Sequence, residues 1–293
     1  MRLLKLTALT GMSLLLLAFF VGCGSDDKPT TTTPSYGNNT DPDFVPVQDE
    51  INGLLVEIVD DMLDGFDNLY VTPGDTVNAR ADLSPSWLEP DPVDGPDTLI
   101  AIYQNDWYFV YASYTGDIYR SRLWDSVQFQ NDGTAQQSAN NADYIHFIDN
   151  WEVTSLNQDV THSDFSGRND YVISHLDENI ATIEGATEHN VNAVYVGTDT
   201  TMTLDYEFTS VATDIQIAKF VTGWHSACPV SGTIDMTMTN DFAWTNASSS
   251  GQSSVSWEID VTFSNGTATI YADNGTVTWR YTCEVCTVPG VTE

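Results

Sequence analysis

Four side chains near the C-terminal end of the chain have types and spacing that could do chemistry. His225 and Cys228 form an H-x-x-C pair, and Cys283 and Cys286 form a C-x-x-C pair. In an oxidising compartment the expected product is a disulfide between Cys228 and either Cys283 or Cys286. The alternative is a tetrahedral zinc site, because zinc accepts three thiolates and one imidazole. We favour the disulfide, since thiols outside the cytoplasm usually oxidise before they bind metal, and we therefore expect no cofactor.

Catalytic motifs are missing from the sequence. It contains no G-x-S-x-G, no H-E-x-x-H, no phosphate-cradling glycine loop, and no H-x-E paired with P-C-x-x-C. The other histidines are scattered singly, and a lone histidine on a strand is more often a structural residue than a ligand. We name no catalytic residue and favour a protein that is not an enzyme.

Two arginines and three aspartates in the middle of the chain are candidate binding groups. Arg120 and Arg122 stand two apart on one face of a predicted strand, where we expect them to neutralise neighbouring acids rather than clamp an anion. Asp159, Asp164 and Asp170 surround a predicted loop that begins at Asp164, but their spacing matches no known calcium loop.

The charge of the chain limits its partners. The sequence has 42 acidic and 9 basic residues, a net charge of −33. Nucleic acid is excluded as a partner, because phosphate recognition needs clustered Lys and Arg. Anionic lipid headgroups would also repel such a surface. A dense acidic surface is typical of a protein in a saline environment, where salt screens the repulsion between carboxylates. The sequence contains no EF-hand spacing that would indicate a dedicated cation site.

The N-terminus carries a short secretory signal. Arg2 and Lys5 precede an apolar run over 14–21, which is too short to span a bilayer, and Gly22 comes directly before Cys23. This arrangement resembles the lipobox of bacterial lipoproteins. The resemblance implies that residues 1–22 are removed, that Cys23 is lipidated, and that the protein is anchored in the bacterial cell envelope. It also favours the outer membrane, because residue 24 is not the Asp associated with inner-membrane retention.

A tether and then a helix are predicted to follow the signal. Residues 23–47 are rich in Thr, Pro, Asn and Asp, and predict a disordered tether. Apolar residues then recur with helical spacing, which predicts an amphipathic helix over 49–65 that Asp49 begins and Gly65 ends. The helix is expected to pack on a sheet.

Strand patterns cover most of residues 97–283. The last three strands form a clear meander, whose Asn265-Gly266 and Asn274-Gly275 pairs are typical of tight hairpin turns. Further upstream the pattern predicts short strands over 171–176, 179–183, 191–196 and 202–208, with a separate partner strand at 215–217. The strand that begins at Trp107 is apolar on both faces and is expected to be covered on both.

The fold class expected is all-β. We predict one domain over 48–288, a large antiparallel up-and-down meander curled into a half-barrel, barrel or sandwich, with a single N-terminal helix.

The function expected is that of a non-enzymatic, lipid-anchored binding or structural domain, which resembles lipoprotein carriers in outline only. Its concave face would hold an apolar ligand such as an acyl chain. One alternative is a surface module for protein–protein interaction. The second is a hydrolase whose site forms only in the fold.

Overall fold

The described part of the chain begins with one helix and continues as strands. The computed structural model describes residues 36–69, 97–116, 119–137, 141–155, 161–218 and 228–286. Within these residues the elements are α1 (Val45–Leu69), β1 (Thr98–Gln104), β2 (Trp107–Thr115), β3 (Tyr119–Asn131), β4 (Thr134–Gln136), β5 (Tyr144–Ser155), β6 (Thr161–Ser174), β7 (Ile180–Val196), β8 (Thr200–Ala218), β9 (Pro229–Asn246), β10 (Ser250–Ser264), β11 (Thr267–Asp273) and β12 (Thr278–Glu284).

All described strands belong to one antiparallel sheet. Its order is β1-β2-β3-β5-β6-β7-β8-β9-β10-β11-β12, and the short β4 pairs only with β3. The sheet is not closed, because β1 and β12 do not pair with each other. The predicted all-β up-and-down meander with one N-terminal helix is therefore confirmed, in the form of an open sheet.

Helix α1 packs on one face of this sheet, which we call the helix face; the opposite face is the outer face. Ile51 and Leu55 are fully buried, and each contributes about 1.5–3 kcal/mol through burial. Directly before the helix, the Phe44 ring stacks on Trp279 of β12 at 4.5 Å between centroids. The helix and strands share one hydrophobic core, as the amphipathic pattern predicted.

The predicted bounds of the helix were wrong at both ends. It begins at Val45, four residues before Asp49. Pro46 does not prevent this, because in the first turn of a helix its missing N–H would have no partner. It continues through Gly65 to Leu69. An interior glycine costs only about 1 kcal/mol, which the burial of the apolar stripe offsets.

The tether was predicted to extend to residue 47, and this bound is also wrong. Residues 36–44 lie against β12 and its neighbours: Gly37 N donates to Thr278 O at 2.9 Å, and Asn39 Nδ2 donates to Arg280 O at 3.0 Å. Residues 1–35, including the predicted signal and Cys23, lie outside the described residues.

The middle strands are longer than their sequence pattern indicated. The predicted strands over 179–183 and 191–196 are the two ends of β7, while 202–208 and 215–217 both belong to β8. The predicted loop at Asp164 lies within β6. The pattern of β8 was broken by a bulge between Thr213 and Gln216, which also shifts the register against β7 between Ile183 and Gly185.

The C-terminal meander was predicted correctly, although its two turns differ. Asn265 and Gly266 both have positive φ, at 48° and 80°, as a two-residue hairpin turn requires. The second connection is longer than expected. Asn274 caps it with its side chain, because its Oδ1 accepts hydrogen bonds from the N–H groups of Thr276 and Val277.

A row of buried polar side chains crosses the helix face. Five residues at directly paired positions on β3, β5, β6, β7 and β8 are buried, each exposed by less than a tenth. They are Asp125, Asp149, Asn169, Thr187 and Ser210. Thr187 Oγ1 donates to Asn169 Oδ1 at 2.9 Å and also contacts the Tyr171 hydroxyl. We call this set the polar row.

Candidate binding surface

The cysteines occupy one end of the C-terminal meander. The structure joins Cys228 to Cys286, with 6.0 Å between their Cα atoms, and so selects one of the two expected pairings. The β10–β11 turn holds both segments in place, because Gly266 N donates to Pro229 O and Gly266 O accepts from Cys286 N. The disulfide thus joins the segment before β9 to the segment after β12 at this end of the sheet.

The four-ligand zinc set is not formed in this structure. Two of its sulfur atoms, those of Cys228 and Cys286, are joined to each other and are not thiolates. Cys283 is free and half-buried, and burial, reinforced by Glu284, raises the pKa of its thiol. His225 lies outside the described residues. Among the residues that are described, no group of three or more His, Cys, Asp or Glu side chains could hold a metal ion.

The polar row brings two carboxylates together, which is the arrangement that a hydrolase would need. Asp125 and Asp149 are directly paired across β3 and β5. Both are buried on the helix face, with 9% and 8% exposed, so they are not open to a substrate in solution. The row belongs to the packed interior.

The outer face of β1–β3 carries a patch of exposed apolar side chains. Ile100 and Ile102 on β1 are 50% and 49% exposed, Phe109 on β2 is 39% exposed, and Trp124 on β3 is 37% exposed. Tyr111 lies between Ile100 and Trp124 in register. We call these five residues the apolar patch. A cluster of this kind on a protein surface is typical of an interaction site.

The patch arises from strands that are apolar on both faces. Val110 and Ala112 of β2 are buried on the helix face, while Phe109 and Tyr111, at alternate positions, point to the outer face. The sequence led us to expect that both faces would be covered. That expectation was wrong for the outer face, because Phe109 is exposed.

Charge is distributed unevenly over the outer face. No carboxylate occupies an outer-face position of β1, β2 or β3, whereas that face of β3 carries Arg120 and Arg122. Exposed carboxylates instead line the outer face of β7–β10. They are Glu184, Glu188, Asp205, Glu207, Asp235, Asp241, Glu258 and Asp260. In a chain with a net charge of −33, the apolar patch is therefore a region where acidic groups are excluded.

Arg122 of β3 neutralises a neighbouring acid, as the sequence predicted. Arg122 Nη1 lies 2.7 Å from Glu152 Oε1, its directly paired neighbour on β5. This contact neutralises a carboxylate across the sheet. Arg120 is exposed on the same face.

A polar cluster adjoins the patch on β5 and β6. His146 Nε2 lies 2.8 Å from Asp170 Oδ1, and Arg168 Nη2 lies 2.5 Å from Asp170 Oδ2. Burial acts to raise the pKa of Asp170, but the hydrogen bonds and positive charges of His146 and Arg168 outweigh it and lower the pKa. Trp107 packs edge-on against His146 at 5.0 Å between centroids, so the cluster is continuous with the aromatic surface of β2.

A shallow groove of about 630 Å³ lies beside this cluster and is open to solvent. Arg168 and Asp170 form one wall, and Glu184 and Glu188 line the groove from β7. The backbone at Gly185 closes over β6, where a Cβ atom would collide with the carbonyl oxygen of Asp170. The close approach of Gly185 to β6, opposite the bulge in β8, therefore shapes the groove.

Sequence reasoning missed both the apolar patch and the Arg168–Asp170–His146 cluster. The signal for the patch was present, since aromatic residues stand at consecutive positions from Trp107 to Phe109. The cluster had no signal, because its partners lie on separate strands and meet only through the β5–β6 register.

No described helix is both long enough and apolar enough to cross a membrane. Comparison of the chain with protein-family models, with curated proteins and with solved structures gives no match. Function is therefore inferred from the geometry of the surface.

Proposed function

We propose that the protein is a non-enzymatic interaction module of the bacterial cell envelope, anchored through a lipid on Cys23, which docks a protein partner on the outer face of β1–β3. The observation that carries this proposal is the apolar patch. Its exposed isoleucines, Phe109 and Trp124 stand at positions where a solvated sheet face would carry polar residues.

The composition around the patch supports a protein partner. Protein interfaces are enriched in aromatic residues and arginine at their centres and have a polar rim. Here Phe109, Tyr111 and Trp124 form the centre, and Arg122 and Arg168 stand at its edge. The absence of carboxylates from this part of the outer face removes the charge that would otherwise oppose contact.

An apolar ligand held on the other face of the sheet has less support. Helix α1 packs there, and its residues Ile51, Leu54, Leu55 and Ile58 are each no more than 3% exposed. An acyl chain could bind where the helix packs only by displacing the helix.

Site-specific photo-crosslinking in intact cells tests the proposal. A photoreactive amino acid at Trp124 should give adducts with another protein chain, whereas the same residue at Thr237, which is exposed on the outer face of β9, should give none. The proposal would be refuted if the two positions gave the same background. Attachment is tested separately: Cys23→Ser should release the protein from the membrane fraction.

A further inference from the structure

The open edge beside the apolar patch has the properties of a pairing surface. Among the described residues, β1 pairs only with β2, and no described backbone group hydrogen-bonds to its other edge. The opposite edge of the sheet, at β12, is partly covered by the hydrogen bonds from Gly37 and Asn39. Proteins normally protect an open edge with charge, proline or a covering segment. Residues 98–104 contain neither a charged residue nor a proline.

We propose that β1 pairs with β1 of a second copy of this chain, antiparallel and about a twofold axis, so that two sheets join into one. This inference goes beyond the proposed function, because it concerns the edge of β1 and leaves the apolar patch open to a protein partner. Charge limits where a second copy can approach: two chains of net charge −33 repel each other over most of their surface, and β1–β3 is the part of the outer face that lacks carboxylates.

The sequence of β1 is self-complementary in one register. When Ala101 is placed opposite Ala101 of the second copy, Ile100 of each chain faces Ile102 of the other on the outer face. Cross-strand pairs of β-branched residues at this distance stabilise a sheet. Neighbouring registers would place an isoleucine opposite Thr98 or Gln104 instead. A twofold axis perpendicular to the sheet keeps both outer faces on the same side, so the two apolar patches become one continuous surface.

The ends of the paired strands oppose association. In the same register Asp97 of one copy comes near Asp106 of the other, because these residues flank β1 on either side. Like charges that face each other across strands are destabilising. Added salt should therefore strengthen the dimer, since the screening length falls from about 10 Å at 0.1 M to about 3 Å at 1 M.

Light scattering after size-exclusion chromatography of the purified full-length protein tests the dimer. We expect the mass of two chains for the native protein, with a larger dimer fraction in high salt. Ile100→Asp should halve the mass. Val211→Asp is the matched control, since Val211 is 51% exposed on the outer face of β8 and the variant adds the same charge; it should remain a dimer. A native protein that is monomeric at both salt concentrations would overturn the inference, as would a mass that Ile100→Asp leaves unchanged.

Disulfide trapping tests the register. In a Cys283→Ser background, Ala101→Cys should give a covalent dimer on mild oxidation, whereas Thr98→Cys should not, because residue 98 lies opposite residue 104. Equal trapping of both variants would exclude the Ala101-centred register. The two proposals fail separately: a monomer that still gives Trp124 adducts with a different protein overturns the dimer and leaves the docking surface standing.

Discussion

Glu50 offers a sharp test of the packing between α1 and the sheet. This carboxyl belongs to the buried stripe of the helix and is 6% exposed. Its Oε2 has no hydrogen-bond partner among the described residues. Burial raises the pKa of Glu50 from 4.5 to about 7. The folded protein therefore binds a proton at this group between pH 4.5 and 7 that the unfolded chain has already released.

The sign and size of the effect follow from this difference in proton binding. Stability from this group is fully present below pH 4.5, decreases as the pH rises towards 7, and is lost above 7. At about 1.4 kcal/mol per pH unit, the interval from 4.5 to 7 corresponds to a loss of about 3 kcal/mol. Glu50→Gln, which stays neutral, should therefore gain about 3 kcal/mol relative to the native protein between pH 4.5 and pH 8.

The assay is urea denaturation of both proteins at a series of pH values, followed by tryptophan fluorescence. The difference between the two proteins isolates Glu50, because every other acidic group is common to both. Asp49→Asn is the matched control for charge, because it removes one carboxylate from the neighbouring, exposed position of the same helix. If the difference between Glu50→Gln and the native protein were the same at pH 5 and pH 8, the assigned burial of Glu50 would be wrong.

Three further predictions concern the framework. Replacing both Cys228 and Cys286 with Ser should lower the free energy of unfolding by about 4 kcal/mol in the chain-entropy picture for a separation of 58 residues, whereas Cys283→Ser should change it little; denaturation of all three proteins without reductant compares them. Phe44→Ala should cost about 3–5 kcal/mol, because the ring is 1% exposed and stacks on a tryptophan of β12, and near-UV circular dichroism should report the lost stacking. Gly185→Ala should lower the melting temperature through a loss of about 1–3 kcal/mol, because the new methyl group meets the backbone of β6; an unchanged melting temperature would contradict the close approach.

The local sequence pattern was enough to predict the helix and the last three strands. The helix was visible because its apolar residues recur at helical spacing, and the last three strands because Trp257 and Trp279 stand in strictly alternating runs. The spacing of the cysteines predicted a disulfide from Cys228. The choice of Cys286 over Cys283 was not predicted, since it depends on how the chain leaves β12.

The middle of the sheet was harder to predict because its local pattern is interrupted. A bulge shifts the inward-facing set of residues by one: the buried positions of β8 are even up to Ala212 and odd from Ile215, so the alternation reads as two short strands. The positive φ of Asp214, at 51°, lies at this shift. In β7 the inward-facing positions stay in phase, but Thr187 and His189 among them are polar. The apolar patch was missed for a different reason: a strand that is apolar on both faces predicts burial, and exposure is a property of the neighbouring elements.

The polar row helps to set the register in which the long strands of this sheet pair. Strands β7 and β8 have 17 and 19 residues, and apolar alternation repeats every two residues, so sliding one strand by two would keep every apolar side chain on the helix face. Such a slide would move Thr187 away from Asn169 and set buried polar groups against apolar neighbours. The polar row therefore favours a single register of these strands. Replacing its residues with apolar ones should permit out-of-register sheets that the hydrophobic core alone does not exclude.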